Sequence, residues 1–491
     1  METNFLESLC SPRIFVPVVF VLFSLVFAFF FPPLPISIDE HEYARNAYLL
    51  LNGSLFDSDP VDFCGGAMVN GHYFSTYFLG KSVVLIPFVP FGIMGLMLSG
   101  LVIHLLNGIL FLLILRKLKI DERLVVLYLF FPAFLWASRT LFPELLVLTF
   151  ALGGTLLYLR NNAKDWFLSG LVFGLAVFVR NDAALLFSGF GLVALLSDRK
   201  KLLSMIAGFF LVGLLVMGFN TLMYGGPLQT PYGYSAGNFL AKENTHVVSN
   251  FLVFTAILLI VYPFMVLLPI VFRKKPLAME ALISTFVVLW LFSRTTDIYA
   301  YDFFSPVTIT GRMRYLIPVA GLLMIPYAHH VEETLKWLGK KIHVSVPAIL
   351  AVLTIGLFAG SVIGTIVHQQ SLLGRQTVLD TIKQTIPEGS LTVGSSDDCI
   401  YFSKAFFGDR KYIRIDTPFL NAQNEINKFS GPVYVMVLRY STVSGAPERQ
   451  DAIDRERKQV IDFVKANSPH LEKVFESTSP HSLTIYRWIQ N

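Results

Sequence analysis

The chain has 491 residues, 54% of them apolar and 15% charged, whereas a soluble domain carries about a quarter charged residues. Its net charge of +5 is small and no polybasic tail accompanies it, so nucleic acid is not an expected partner. Three cysteines are too few for a disulfide scaffold or a cysteine-based zinc site.

The first apolar run, residues 14–34, is long enough for a bilayer, which takes about 20 residues. It exceeds the apolar core of a signal peptide and no small-residue cleavage site follows, so it reads as a retained span. A carboxylate pair, Asp39 and Glu40, comes immediately afterwards, followed by Tyr43, Ala47, Leu50 and Leu51 at helical spacing. Acids beside a membrane mouth gain nothing from lipid. The expectation is a short helix on the far membrane surface, starting near His41, whose acids do chemistry on something the membrane holds. The alternative is that Asp39 caps that helix.

Ten further spans are predicted at 93–115, 124–138, 141–159, 166–179, 183–197, 202–223, 250–272, 277–292, 315–330 and 342–367, the one holding Pro132 being the least regular. The stretch 83–91, broken by Pro87 and Pro90, is expected to lie in the interface. Alternate loops carry 16 cations on one side and eight on the other. The positive-inside rule makes the richer side cytoplasmic, which puts the N-terminus inside and the acid pair outside. The outer cations are Arg45, Lys81, Arg139, Arg180, Lys242, Arg294, Arg312 and Arg314. Five arginines (139, 180, 294, 312 and 314) adjoin short spans, suggesting a recessed cationic mouth for an anionic lipid headgroup. Snorkelling or pairing with a nearby acid is the alternative for each.

Two outer loops are long. Residues 35–92 include Gly71-His72-Tyr73-Phe74-Ser75, and residues 224–249 include Tyr232-Gly233-Tyr234-Ser235, a composition suited to a lid over a sugar. His41, His72 and His246 read as solvated loop histidines. A divalent ion on Asp39 and Glu40 stays open, although the spacing fits no standard metal motif. The transmembrane part is thus 1–367. From 368 to 491 the composition changes, with strands expected at 391–393, 412–416, 433–438, 471–475 and 483–487 and a helix at 448–467. This is an extracytoplasmic α/β domain, a three-layer sandwich. Its Gly394-Ser395-Ser396-Asp397 turn lacks a nucleotide-binding pattern.

Asp39-Glu40-x-x-Tyr43-Ala44-x-x-Ala47 after a first span resembles the opening motif of the GT-C membrane glycosyltransferases. The branch it is most similar to is that of the protein O-mannosyltransferases and the lipid A aminoarabinose transferase. Further matches follow in order. They are Asn70-Gly71-His72-Tyr73-Phe74-Ser75, Arg139-x-Leu141-x-Pro143-Glu144, Gly174-Leu175-Ala176 to Arg180, Asn220 through Pro227 to Tyr234, and Arg314-Tyr315-x-x-Pro318. The resemblance covers residues 14–330. It implies a polytopic α-helical GT-C fold and a hexosyltransferase, mannosyltransferase-like, that uses a polyprenyl-phosphate sugar. The acceptor would be a hydroxyl on protein, glycan or lipid. Asp39 would be the general base and Glu40 its orienting neighbour. Arg314 and Arg180, with Arg312, Arg294 and Lys81, would hold the donor phosphate. Tyr43, His72, Tyr73, Arg139, Glu144, Tyr234 and Tyr315 would contact substrate. One departure stands out. The branch has a lysine and two prolines near residue 76, where this chain reads Thr76-Tyr77-Phe78-Leu79. The Trp-Trp-Asp motif of oligosaccharyltransferases is absent, which argues against whole-glycan transfer to asparagine.

The chemistry agrees with that assignment. A polyprenyl phosphate is already a good leaving group, so a catalyst needs a base for the acceptor proton and fixed positive charge for the departing phosphate. A transporter or flippase for lipid-linked sugars, or a non-catalytic binding subunit, is the competing reading. Against transport, the two halves show no internal repeat.

Overall fold

The structure, a computed structural model, describes residues 11–35, 37–56, 66–69, 72–75, 77–229, 247–262, 265, 267, 270, 275–295, 306–402, 404–415, 421–439, 447–478 and 482–489. Tyr234 and His246 lie outside them. Helix α1 (Pro12–Phe29) is followed by α2 (Ile38–Leu51), the strands β1 (Gly66–Val69) and β2 (His72–Ser75), and α3 (Leu79–Leu85). A 3-10 segment, Ile86–Phe91, then runs into α4 (Gly92–Leu118). Next come α5 (Val126–Leu129), α6 (Pro132–Ser138), α7 (Glu144–Tyr158), α8 (Ala163–Val179), α9 (Phe187–Ser197) and α10 (Arg199–Tyr224). They are followed by α11 (Val247–Val261), α12 (Ala278–Thr295), α13 (Pro306–Ile342) and α14 (Val346–Thr385).

Among the described residues, four helical stretches have the length and hydropathy of membrane spans: Pro12–Phe29, Leu79–Leu118, Arg199–Tyr224 and Val346–Thr385. Shorter apolar helices lie at Glu144–Tyr158, Asn181–Ser197 and Val247–Val261. The stretch 83–91 is helical and continues into α4. One expectation needs correction. The run 124–138 is no single span but breaks between Leu129 and Pro132, because Pro132 has no amide hydrogen and clashes with the preceding turn.

Such a break inside an apolar body leaves carbonyls that must find donors. They are supplied by side chains from distant helices. A ring nitrogen of His104 on α4 lies 3.3 Å from the Leu129 carbonyl, and the hydroxyl of Ser361 on α14 donates to the Phe130 carbonyl. Arg139, at the end of α6, donates to the Phe30 carbonyl beyond α1 at 2.8 Å and to the Thr365 carbonyl at 3.1 Å. Elsewhere small residues set the packing. A Cβ at Gly170 would run into the Met205 carbonyl, and one at Gly208 into the Phe167 carbonyl, so α8 and α10 cross at backbone contact.

The chain divides into two compact units, the first made of residues 1–31, 99–229 and 234–368, the second of 32–98, 230–233 and 369–491. The second unit contains a five-stranded sheet of β3 (Leu391–Gly394), β4 (Lys411–Arg414), β5 (Val433–Arg439), β6 (Leu471–Ser477) and β7 (Ser482–Trp488), in the order β4-β3-β5-β7-β6. Strands β4, β3 and β5 are parallel, while β7 and β6 run antiparallel. All five expected strands are present. The expected helix at 448–467 is Pro447–Ala466, here α17, after the short helices α15 (Lys404–Phe407) and α16 (Ala422–Lys428).

Strand side chains alternate between faces, and β5 shows the consequence. Val433 and Val435 join the cluster under α16 and α17, with Ile426 and Val460. Tyr434, Met436 and Leu438 face the other cluster, filled by Val378, Leu379 and Ile382 from the last turns of α14 and by Ile386 just beyond it. Leu34, Ile38 and Ile93 join this second cluster, so the acid-bearing helix α2 rests on the same apolar face as α14. Arg410 closes the end of α14, donating to the carbonyls of Ile386 at 2.6 Å and Lys383 at 3.3 Å.

Cys399 is disulfide-bonded, and Cys10 and Cys64 lie outside the described residues. On the sequence-based topology Cys64 shares a side with Cys399 and Cys10 does not. Peptide mapping without reductant is therefore expected to recover Cys64 linked to Cys399. A Cys10–Cys399 peptide would overturn both the pairing and the topology.

Candidate active site

The acid pair opens α2. The helix begins at Ile38, three residues earlier than the sequence suggested, and its N-cap is Ser37, whose hydroxyl accepts from the Glu40 amide at 3.3 Å. The same hydroxyl donates to the Glu40 carboxylate at 3.2 Å. Asp39 is therefore not the cap, and Glu40 is tied into the helix start. Residues 40–47 are all buried, while Asp39 stays partly exposed. The Tyr77 hydroxyl donates to Asp39 Oδ1 at 2.7 Å, and the Tyr77 ring lies 5.5 Å from that of Tyr43.

Beneath Asp39 is a polar cluster that sequence reasoning missed. His41, read as a solvated loop histidine, is 1% exposed and Glu42 is fully buried. Glu42 lies 3.8 Å from His41 Nδ1 and 3.6 Å from Arg45 Nη1. Among the described residues, neither carboxylate oxygen of Glu42 and neither ring nitrogen of His41 has a hydrogen-bond partner. Among the other expected contacts in this unit, Lys81 is buried on α3. His72 is exposed on β2 with its ring 3.9 Å from that of Phe56, and Tyr73 is half-buried. Among the described residues, no group of three or more His, Cys, Asp or Glu side chains is placed to hold a metal ion.

The arginines belong to the other unit and do not behave alike. Arg180 follows α8 with its guanidinium held by two acids. Nε and Nη2 donate to the two oxygens of Asp182, each at 2.9 Å, and Nη1 donates to Glu144 at 2.8 Å. Glu144, at the start of α7, is 1% exposed. Arg314 on α13 meets the same Glu144 oxygen more loosely, at 3.9 Å, and donates to the Tyr315 hydroxyl at 2.8 Å. Its guanidinium lies over the rings of Phe142 (4.3 Å) and Tyr315 (4.8 Å). Together Glu144, Arg180, Asp182 and Tyr315 line a small void with Phe292 and Pro318. Arg139 is fully buried and spends its donors on the two carbonyls above, and His368 Nδ1 lies 3.0 Å from its Nη1. Arg294 packs over Trp290 at 5.1 Å, and Arg312 is half-buried on α13. Arg180 thus pairs with nearby acids, the alternative that the sequence left open for each arginine, whereas Arg139 bonds backbone carbonyls and Arg314 the Tyr315 hydroxyl.

Comparison of the sequence with protein-family models finds no match. Comparison with curated proteins finds none either. Comparison of the structure does find likenesses. ArnT from Cupriavidus metallidurans bound to undecaprenyl phosphate aligns over 96% of this chain and 97% of its own, with a TM-score of 0.59 and 12% identity. The apo state of that protein aligns over 97% and 98%, with the same TM-score and identity. An apo oligosaccharyltransferase from Archaeoglobus fulgidus aligns over 85% of this chain and 69% of its own, at a TM-score of 0.46 and 11% identity. The ArnT likeness covers almost the whole of both chains, and from it the chain is seen to share the fold of ArnT.

Proposed function

We propose that the chain is an integral-membrane glycosyltransferase that moves a sugar from a polyprenyl-phosphate donor to a hydroxyl acceptor on the extracytoplasmic side, inverting the anomeric carbon. The observation that carries the reading is the setting of Asp39. It is an acid left accessible on a helix whose next eight residues are buried, and Ser37 already fills the capping role. The GT-C fold and the apolar helices support the class of enzyme. The likeness to a protein bound to undecaprenyl phosphate supports the class of donor.

In the proposed step the acceptor oxygen attacks the anomeric carbon while its proton passes to Asp39. The bond from that carbon to the phosphate oxygen breaks, and polyprenyl phosphate departs with the electron pair. Arg314 is assigned to the phosphate charge. Arg180 is a weaker candidate, because a lipid phosphate would have to compete with two carboxylates already bonded to it. Tyr43 and Tyr73 remain candidate sugar contacts. The test is turnover by the purified protein of undecaprenyl-phosphate sugars with hydroxyl acceptors, read as released undecaprenyl phosphate. A protein that binds these lipids but never releases the phosphate would favour a transporter or binding subunit.

Arg314→Ala is expected to weaken donor use by roughly one to two powers of ten, the worth of a charge-assisted contact of about 1.5–3 kcal/mol, while acceptor dependence changes little. Unchanged donor dependence would move the phosphate to Arg312 or Arg294.

A further inference from the structure

We infer that Tyr77 is the positioning residue for the base, holding the Asp39 carboxylate at the angle at which it takes the acceptor proton. The inference rests on the reading of Asp39 above and adds a residue that no motif singled out. Three observations carry it.

The first is the bond itself. The phenol donates to Asp39 Oδ1 at 2.7 Å, the short distance of a hydrogen bond to a charged acceptor. The second is that Tyr77 is itself held. Its backbone amide donates to the Ser75 hydroxyl at the end of β2, at 3.2 Å, and its ring packs against Tyr43. Tyr43 lies four residues beyond Asp39 on α2, hence on the same helix face. One ring thus rests on that face and delivers its hydroxyl one turn back. The third concerns the acid. The terminal torsion of an aspartate is broad, without sharp staggered wells, a freedom that donors bonded to the carboxylate restrict. An anchored phenol removes that freedom before substrate arrives, and preorganisation of this kind lowers a barrier rather than tightening binding.

Packing alone is the competing account, and it makes different predictions. Tyr77→Phe keeps the ring on Tyr43 and deletes one oxygen. If Tyr77 positions the base, kcat falls about 10- to 100-fold, the range for one hydrogen bond to a charged group, while the donor KM and the melting temperature stay near wild type.

The decisive comparison is the cycle of Tyr77→Phe, Asp39→Asn and the double variant. A residue that acts only through Asp39 has nothing left to position once the base is gone. The double variant should therefore match Asp39→Asn alone. Multiplying losses, or a Tyr77→Phe enzyme with wild-type kcat, would overturn the inference. If Asp39→Asn alone keeps full turnover, the base assignment has failed, and the inference falls with it. If Asp39→Asn is slow and Tyr77→Phe is not, the inference fails and the base assignment stands.

Discussion

Asp39→Asn is expected to lower turnover about 100- to 10,000-fold, the usual cost of removing a general base, with donor binding intact. The amide keeps the size of the side chain and still offers Tyr77 an oxygen to bond, so the change isolates proton acceptance. Because Ser37 is the N-cap, the variant keeps the capping interaction, whose loss would by itself cost about 1 kcal/mol. Glu40→Gln is expected to cost much less in rate, since that side chain is engaged with Ser37 at the helix start. Steady-state turnover and lipid-binding measurements on the same preparations separate the two effects. Near wild-type transfer by Asp39→Asn would end the mechanism.

Arg180→Ala is expected to have the largest effect on stability. Removing one partner of a buried ion pair typically costs about 3–5 kcal/mol, because the other charge is left uncompensated. Here two carboxylates lose their shared guanidinium, and Glu144 is almost fully buried. Arg314, at 3.9 Å, is too far to replace the lost 2.8 Å contact without moving. Lysine should restore only part of the loss, since it cannot offer the planar fork that meets both oxygens of Asp182. Thermal unfolding in detergent reads the difference. A destabilisation below about 1 kcal/mol would mean that this network behaves as a surface ion pair.

The sheet was the most legible part of the sequence, because β-branched and aromatic runs with period two have few other readings. The break before Pro132 overturned the single span expected at 124–138, although proline there removes a specific bond and could have been weighed. The start of α2 was readable too. Ser37-x-x-Glu40 has the spacing of a capping box, and weighing it would have placed the helix start at Ile38. The burial of residues 40–47 was not readable. A helix enclosed on all sides loses the apolar stripe from which burial is inferred, so His41 looked solvated. Asp182 lies two residues from Arg180 and could have been weighed as its partner. Glu144, 36 residues away, and Tyr77, 38 residues from Asp39, are brought in by tertiary packing that no local pattern encodes.

The clustering of Leu34 and Ile38 with the last turns of α14 and the inner face of the sheet bears on how the protein can be dissected or rebuilt. The C-terminal 120 or so residues look like a detachable appendage on a hydropathy plot, yet they form the floor under the helix that carries Asp39. Truncation there would expose the floor-facing side of α2 to water, so it yields no minimal enzyme. A graft of the 35–56 segment into another scaffold must bring a matching apolar surface. Natural variation at positions 34 and 38 should accordingly be compensated at 378, 379, 382 and 386, more than three hundred residues away.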